Sequence, residues 1–193
     1  MEKFHGNKKL TVSVFISGRG SNLKSLIDFS KSKNSPIKID LVVCNNKNAK
    51  GLKYSKKNKI KFLIINYDNK KKAENKILSS LKKNNINLIC LAGYMKILSK
   101  KIINNYKGRI LNIHPSLLPK YKGLNTHKRA LDNHEKYSGC TVHFVNARLD
   151  SGKIILQKKV KISNNETKNS LAKKILKQEH KLYPKAILKV FSL

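Results

Sequence analysis

LTVSVFISGRGSN, residues 10–22, joins a continuous apolar run to a loop that contains two glycines. The run Leu10–Ile16 is aliphatic and β-branched, which is typical of a strand covered on both faces in a parallel sheet. The loop Ser17–Asn22 ends where a helical pattern begins at Leu23. A buried strand, a tight turn and a helix in this order predict the start of a βαβ unit.

Apolar runs and amphipathic segments continue to alternate along the chain. The predicted strands are Leu10–Ile16, Ile37–Val43, Phe62–Ile65, Leu88–Ala92, Ile110–Ile113, Cys140–Val145 and Ile154–Lys161. We expect each of the first five to be covered on both faces, because its apolar run is nearly continuous. The predicted helices are Leu23–Ser30, Ala49–Lys57, Lys71–Lys83, Ser99–Tyr106, Thr126–Leu131 and Ser170–Phe191. This alternation predicts an α/β protein with a doubly wound, mostly parallel, Rossmann-like sheet. We expect the last helix to be interrupted or kinked near Pro184.

The length favours a single domain over residues 1–193, because 193 residues can bury a full-sized core. Within it we expect an N-terminal half of about 10–113 with βαβ character and a more irregular C-terminal half of about 114–193. The hydrophobic fraction of 39% excludes a disordered tail, and no apolar run is long enough for a membrane span.

The N-terminus superficially resembles a signal peptide, since lysines precede its first apolar run. That run breaks at Ser17 without a small-residue cleavage pattern, so we interpret it as the first strand. The cysteines lie in or beside apolar runs, which predicts reduced thiols and a cytoplasmic protein. They are Cys44, Cys90 and Cys140.

The charge is strongly basic, with 43 Lys and Arg against 10 Asp and Glu and a net charge of +33. Such a charge invites a nucleic-acid function, because cations that neutralise phosphates dominate that kind of binding. However, base-reading interfaces favour the arginine fork, and the basic residues here are nearly all lysines spread along the whole chain. We expect a solvated surface that attracts anionic small molecules and no specific nucleic acid, with nucleic-acid binding kept as an alternative.

The loop after the first strand is a candidate phosphate site. Gly18 and Gly20 permit positive φ and close approach of a ligand, and the helix N-terminus that follows offers free N–H groups. The spacing matches neither GxGxxG nor GxxxxGK[ST], so a single phosphate fits better than a dinucleotide or a triphosphate. An ordinary turn with Ser21 or Asn22 as helix N-cap explains the spacing equally well.

The strongest catalytic signal is at the end of the fifth predicted strand. Asn112 and His114 are two residues apart and therefore point to the same face. Ligands of open α/β sheets bind at that end of the strands, and an amide beside an imidazole can hold the oxygen of a carbonyl under attack. A structural histidine in a turn between Pro115 and Pro119 is the alternative.

Asp150 is the candidate third member of this group. A carboxylate near His114 would stabilise the imidazolium and raise its pKa. A turn-forming aspartate before Ser-Gly is the alternative. We expect His143 to be packed within a strand, and His5 and His134 to be solvated. No group of residues has zinc spacing, so no metal is predicted.

Several segments, in this order, resemble the phosphoribosylglycinamide formyltransferase family. They are Ile16–Leu23, Leu91–Leu98, Leu111–Gly123, Val142–Phe144, Leu149–Gly152 and Gln178–His180. The resemblance runs from Leu10 to about Tyr183 and implies the formyltransferase fold. It also implies transfer of a formyl group from 10-formyltetrahydrofolate to glycinamide ribonucleotide in purine synthesis, without a metal and without an enzyme nucleophile.

The resemblance also implies roles for individual residues. The catalytic group is Asn112, His114 and Asp150, and Asn112 also contacts the folate. The other implied folate contacts are Met95, Lys96, Ile97 and Leu98. The implied substrate contacts are Gly20, Ser21, Asn22 and Glu179, the first three at the ribose phosphate. A lysine between 70 and 72 is implied at the folate glutamate tail.

Sibling families share the formyl-transfer core and are alternative functions. Methionyl-tRNA formyltransferase carries a C-terminal tRNA-binding domain, for which 193 residues leave no room. Formyltetrahydrofolate hydrolase carries an N-terminal regulatory domain and lacks the Gly-Arg-Gly-Ser-Asn loop, whereas the first strand here begins at about residue 10. We therefore expect neither function. A nucleotide-dependent oxidoreductase is weakened by Leu23 at the third glycine position and by Asp40 lying inside a strand.

Overall fold

A computed structural model describes residues 9–192 of the protein, so His5 and both ends of the predicted domain lie outside the described residues. Its strands are β1 Leu10–Ile16, β2 Ile37–Cys44, β3 Lys61–Ile64, β4 Leu88–Leu91, β5 Arg109–His114, β6 Tyr137–Phe144 and β7 Ile154–Lys161. Its helices are α1 Ser21–Ser30, α2 Leu52–Lys57, α3 Lys70–Lys83, α4 Lys100–Asn105, α5 Thr126–Asp132 and α6 Lys168–Phe191. Every predicted element is present, and most differ from the prediction by one to three residues at an end.

The sheet is mostly parallel, which confirms the predicted α/β class. The strand order is β3-β2-β1-β4-β5-β6-β7. β1 pairs in parallel with β2 and β4, and β2 with β3, so that Val14 lies opposite Val42 on one side and Cys90 on the other. β6 and β7 form an antiparallel pair. All three cysteines are buried thiols, as predicted.

The chain forms two compact units that divide between Leu111 and Asn112, close to the predicted boundary between the halves. The core of the first unit is built on β1, where five consecutive residues are buried, Val12 to Ile16. Within residues 9–192, no helix is long and apolar enough to cross a membrane. That the two units make one domain stays a prediction.

Two sequence-based expectations about individual elements are wrong. β3 is not covered on both faces: Phe62 is 40% exposed and Ile64 39%, because β3 is the end strand of the order. The expected interruption of α6 at Pro184 is also wrong, because the helix continues through the proline, whereas a kink there stays a prediction. Tyr183 and Ile187 on either side of the proline are fully buried, and this packing offsets the backbone hydrogen bond that proline cannot donate.

Candidate active site

The glycine at the start of α1 has a structural reason of its own. Gly20 is the helix N-cap at φ +71°, in the left-handed region, and a Cβ there would lie 2.6 Å from the Cα of Gly51. The alternative that Ser21 or Asn22 caps the helix is therefore wrong. No side chain caps α1 and no acidic residue lies in its first turn, so its N-terminal end keeps the positive character that favours an anion.

Ser17 connects this loop to a second segment of the first unit. Its hydroxyl accepts a hydrogen bond from the backbone N of Met95 at 2.7 Å and donates one to Asn45. The loop is also held by Gly51, whose N–H donates to the carbonyl of Gly18 at 2.9 Å. The contacts of Ser17 could not be predicted from the sequence, because a serine between a strand and a glycine is typical of an ordinary turn.

The segment Met95–Leu98 presents an unusual apolar surface. Met95 is 63% exposed and Ile97 71%, with Lys96 exposed between them, whereas Leu98 is buried. Large exposed apolar side chains in a loop next to a candidate site are typical of a ligand contact. Leu98 is placed differently from its three neighbours, since its side chain is part of the core.

A cleft of the first unit lies between the end of β3 and the start of α3. Its volume is about 300 Å³, and Lys72 lines it, whereas Lys70 and Lys71 do not. Tyr67, in the same loop, shares a 2.8 Å hydrogen bond between its hydroxyl and that of Tyr94, and the ammonium of Lys96 lies 5.6 Å from its ring centroid. The cleft and the Met95–Leu98 segment are therefore neighbours.

In the second unit, the three predicted catalytic residues meet. Asn112 and His114 stand on β5, and Asp150 lies in the turn between β6 and β7 with φ +44°. The Nδ1 of His114 is 3.4 Å from Oδ2 of Asp150, and Nδ2 of Asn112 is 3.4 Å from Oδ1. His114 and Asp150 are both buried. This geometry favours the catalytic interpretation of Asp150 over a turn-forming role alone.

His143 belongs to this group as well. The side chain is buried in β6, as predicted, but its Nε2 lies 3.2 Å from Nδ2 of Asn112 and 3.6 Å from Oδ1 of Asp150. Sequence reasoning missed this role, because a histidine in an apolar strand usually packs. The available signal was its place in β6, whose following turn supplies Asp150. His134 is exposed, as predicted.

Backbone carbonyls fix the tautomers of both imidazoles, since a carbonyl only accepts. His114 donates from Nε2 to the carbonyl of Tyr121 at 2.9 Å, and His143 donates from Nδ1 to the carbonyl of Phe144 at 2.8 Å. In the neutral ring of His114, the unprotonated nitrogen is therefore Nδ1, which faces Oδ2 of Asp150. When His143 is neutral, its Nε2 accepts from the amide of Asn112.

The pKa of His114 differs from the sequence-based expectation. Burial lowers the pKa of this imidazole, and the Tyr121 carbonyl and the Asp150 charge raise it by less, so the net direction is down. The expected net increase is wrong, although Asp150 acts in the expected direction. Burial also acts to raise the pKa of Asp150, but contacts with His143, the N–H of Gly123 and the imidazole charges lower it below its usual value.

The loop between β5 and α5 closes against both ionisable residues. Besides the bond from His114 to Tyr121, the N–H of Gly123 donates to Oδ2 of Asp150 at 2.9 Å. The loop is anchored to β6, because Thr141 accepts from Leu118 N at 3.1 Å.

Glu179 is buried on α6, 6% exposed. Burial and the nearby charge of Glu179 raise the pKa of the Cys140 thiol to about 12, so this carboxyl lies near β6. Among residues 9–192, no three His, Cys, Asp or Glu side chains are grouped as metal ligands would be.

Comparisons with known proteins cover almost the whole chain. Residues 10–187 match the family described as formyl transferase. The chain is 41% identical over 188 residues to the trifunctional purine biosynthetic protein adenosine-3 of Homo sapiens, which is 96% of this chain and 19% of that protein. It therefore spans about a fifth of the length of that relative.

Shorter relatives match along most of their length. Phosphoribosylglycinamide formyltransferase of Haemophilus influenzae is 42% identical over 179 residues, covering 91% of this chain and 84% of that protein. The crystal structure of the enzyme of the same name from Brucella melitensis superposes with a TM-score of 0.89 at 42% identity, covering 95% of this chain and 96% of the other.

Proposed function

The chain belongs to the formyl transferase family, and from this premise we propose that it transfers a formyl group from 10-formyltetrahydrofolate to the amino group of glycinamide ribonucleotide in purine synthesis. The observation that carries the proposal is the grouping of Asn112, His114 and His143 around the carboxylate of Asp150. Relatives named for this activity cover nearly the whole chain.

The reaction needs a stabilised oxyanion. The substrate amine attacks the formyl carbon, a new C–N bond forms, and the carbonyl oxygen becomes negative. We assign the stabilisation of this oxygen to the Asn112 amide and the His114 imidazole. Contacts of 3.2 and 3.4 Å hold the Asn112 amide only loosely, and such bonds tighten when the reacting group arrives.

The reaction also needs a route for a proton. The attacking amine loses a proton, and the folate nitrogen gains one as its bond to the formyl carbon breaks. His114 can take up a proton at Nδ1, where Asp150 stabilises the resulting charge. Burial disfavours the imidazolium in the free protein, and the developing oxyanion favours it, so His114 is charged at the stage where it is needed. Asp150 assists the transfer, with water as the carrier.

The binding roles are assigned to four separate parts of the chain. The uncapped N-terminus of α1, with Gly20, Ser21 and Asn22, is assigned to the ribose phosphate. The exposed segment Met95–Ile97 is assigned to the folate, with Leu98 supporting it from the core. Lys72, in its cleft, is the lysine we assign to the folate glutamate tail. Glu179 is assigned to the glycinamide group.

The remaining proposals concern partners and compartment. We propose small-molecule substrates, no metal, no membrane and no specific nucleic acid, in a cytoplasmic protein. Because three buried free thiols fit a reducing compartment, Cys44, Cys90 and Cys140 support the location.

A formyl-transfer assay on the purified protein tests the function directly. We expect formylated glycinamide ribonucleotide to appear only when both substrates are present. Release of formate without the amine substrate would indicate a hydrolase instead. Thermal shifts with glycinamide ribonucleotide plus 10-formyl-5,8-dideazafolate, with NADPH and with duplex DNA separate the other classes. Stabilisation by NADPH or DNA alone would contradict the proposal.

A further inference from the structure

Tyr121 is held in an unfavourable backbone conformation next to His114. Its φ is +56°, in the left-handed region that bulky residues rarely adopt. Its carbonyl accepts the Nε2–H of His114 at 2.9 Å. A non-glycine residue keeps such a conformation only where the surroundings impose it.

The side chain of Tyr121 supplies this constraint. Its hydroxyl donates to Oε1 of Glu135 at 2.8 Å, and the guanidinium of Arg129 lies 5.1 Å from its ring centroid. Arg129 also donates to the carbonyl of Lys122 at 2.7 Å, which fixes the backbone one residue further on. Bonds from Lys120 and Tyr121 lower the pKa of Glu135, so the carboxylate is ionised at neutral pH.

We propose that Glu135, acting through Tyr121, is a positioning residue that holds the His114 ring with its proton on Nε2 and its Nδ1 directed at Asp150. The hydroxyl bond to Glu135 orients the tyrosine, and the tyrosine carbonyl in turn selects the tautomer of His114. The tautomer decides where a proton enters, because in the neutral ring only the unprotonated nitrogen, here the Nδ1 that faces Asp150, can accept one. The catalytic consequence rests on the proposed function, whereas the tautomer itself does not.

Asp150 Oδ2, 3.4 Å from Nδ1 of His114, is a competing acceptor for the ring proton, and the shorter contact of Nε2 with the Tyr121 carbonyl, 2.9 Å, favours the proton on Nε2. Asp150 raises the His114 pKa, and His143 and Arg129 lower it by their charges. His127, on α5, also faces His114: burial lowers the pKa of His127 most, and the charges of Lys168 and His114 lower it further. Among these groups, Tyr121 supplies the contact that fixes which nitrogen carries the proton.

One oxygen of Glu135 has two partners, and one of them provides a matched control for the other. The same Oε1 accepts from Tyr121 at 2.8 Å and from the ammonium of Lys120 at 2.7 Å. Tyr121→Phe removes the hydroxyl bond to Glu135 and keeps the ring beneath Arg129. Lys120→Met removes only the surface ion pair. Glu135→Ala removes the acceptor, and Glu135→Gln keeps an oxygen acceptor without the charge.

Nitrogen-15 NMR of the His114 ring in the free protein measures the effect. In the parent, Lys120→Met and Glu135→Gln we expect the neutral ring to carry its proton on Nε2. In Tyr121→Phe and Glu135→Ala we expect a mixture of tautomers. The His114 pKa should fall further, by about 0.4–1 pH unit, the equivalent of one ordinary hydrogen bond.

Several outcomes would overturn the proposal. One is a parent protein whose neutral His114 is protonated on Nδ1. Another is an unchanged tautomer and an unchanged His114 pKa in folded Tyr121→Phe and Glu135→Ala. If only one of these variants folds, its result decides. An equal shift in Lys120→Met would assign the effect to general surface charge rather than to the tyrosine.

The formyl-transfer assay separates this proposal from the proposed function. If the function holds, kcat should fall at low pH, where His114 is already protonated and cannot take up a proton at Nδ1. In Tyr121→Phe this fall should move to lower pH by the same amount as the His114 pKa, with KM unchanged. An inactive parent with the expected tautomers would contradict the function alone. An active parent whose variants keep the parental pH profile would contradict the positioning role.

Discussion

Asp150 divides its two carboxylate oxygens between two sets of partners. Oδ2 accepts from Gly123 N at 2.9 Å and faces His114, while Oδ1 faces Asn112 and His143. The residue sits at φ +44°, where aspartate and asparagine are the residues best tolerated after glycine. An asparagine therefore fits this backbone, removes the charge and replaces one of the two accepting oxygens with an NH2 group that only donates.

Asp150→Asn should abolish most of the proposed activity while leaving binding largely intact. Loss of the carboxylate removes a charge that raises the His114 pKa, so the imidazole should titrate at still lower pH. Loss of acid–base assistance typically lowers the rate by about 10²–10⁴-fold. NMR titration measures the His114 pKa, and steady-state kinetics measure the loss of rate. Asp132→Asn removes an exposed carboxylate as a charge control, and equal behaviour of both variants would reduce Asp150 to a turn former.

For single residues, the sequence predicted which side chains lie together better than it predicted the direction of the His114 pKa. The i, i+2 spacing of Asn112 and His114 on a strand is sufficient to place them on one face. Whether Asp150 would reach them could not be decided from spacing, since the turn that carries it is 38 residues away from Asn112. The direction of the His114 pKa was missed because burial depends on packing from elements distant in the sequence.

Among the elements, α1 tests the phosphate assignment. Gly20→Val is a poor test, because any Cβ there meets Gly51 at 2.6 Å and disturbs the loop whether or not a ligand binds. Ser21→Ala leaves the backbone intact and should weaken glycinamide ribonucleotide binding about tenfold, the effect of one hydrogen bond to a charged group. Folate binding should be unchanged. Ser30→Ala, at the other end of α1, is the control, and equal losses for both ligands would contradict the assignment.

The start of α6 should make stability depend on pH. Thr167 and Ser170 form a capping box, and hydrogen bonds from Lys174 and Ser170 lower the pKa of Glu166 to about 2. A carboxyl with a lowered pKa in the folded state stabilises above its unfolded pKa of about 4.3, and that contribution is lost as the pH falls towards 2.

Glu166→Gln should therefore lower the free energy of unfolding at pH 7 by about 1 kcal/mol, and the thermal midpoint with it. The pair is partly buried, since the Glu166 side chain is 5% exposed and that of Lys174 38%. The variant and the parent should converge as the pH falls from 4.3 towards 2. Lys174→Met removes the partner and should behave similarly. A difference between parent and Glu166→Gln that is the same at pH 3 and pH 7 would contradict this account.

For the whole molecule, periodicity predicted the elements and their class, since apolar runs and amphipathic helices carry that signal locally. It did not reveal which strands lie at the ends of the sheet, and so Phe62 and Ile64 were expected to be covered. Nor did it show that α6 continues through Pro184, because the burial of Tyr183 and Ile187 depends on tertiary packing.

The net charge of +33 gives the last prediction. Ten carboxylates cannot neutralise 43 basic side chains, so most lysines face solvent without an acidic partner. A diffuse surface of this kind should bind duplex DNA with a Kd of about 10⁻⁴–10⁻⁶ M at physiological salt, and steeply weaker as salt rises. Binding at nanomolar concentration with sequence preference would favour the nucleic-acid alternative.

Two sets of lysines test whether the charge is diffuse or focused. One set lines a cleft of about 380 Å³ beside α2: Lys47, Lys50, Lys53 and Lys56. The other set is exposed along α6: Lys173, Lys177, Lys181 and Lys185. Replacing either set by glutamine removes four charges, so a diffuse surface should lose affinity and salt dependence about equally in both variants. Fluorescence anisotropy over a salt series measures both. A loss confined to the cleft variant would identify a focused anion site and contradict the solvated-surface interpretation.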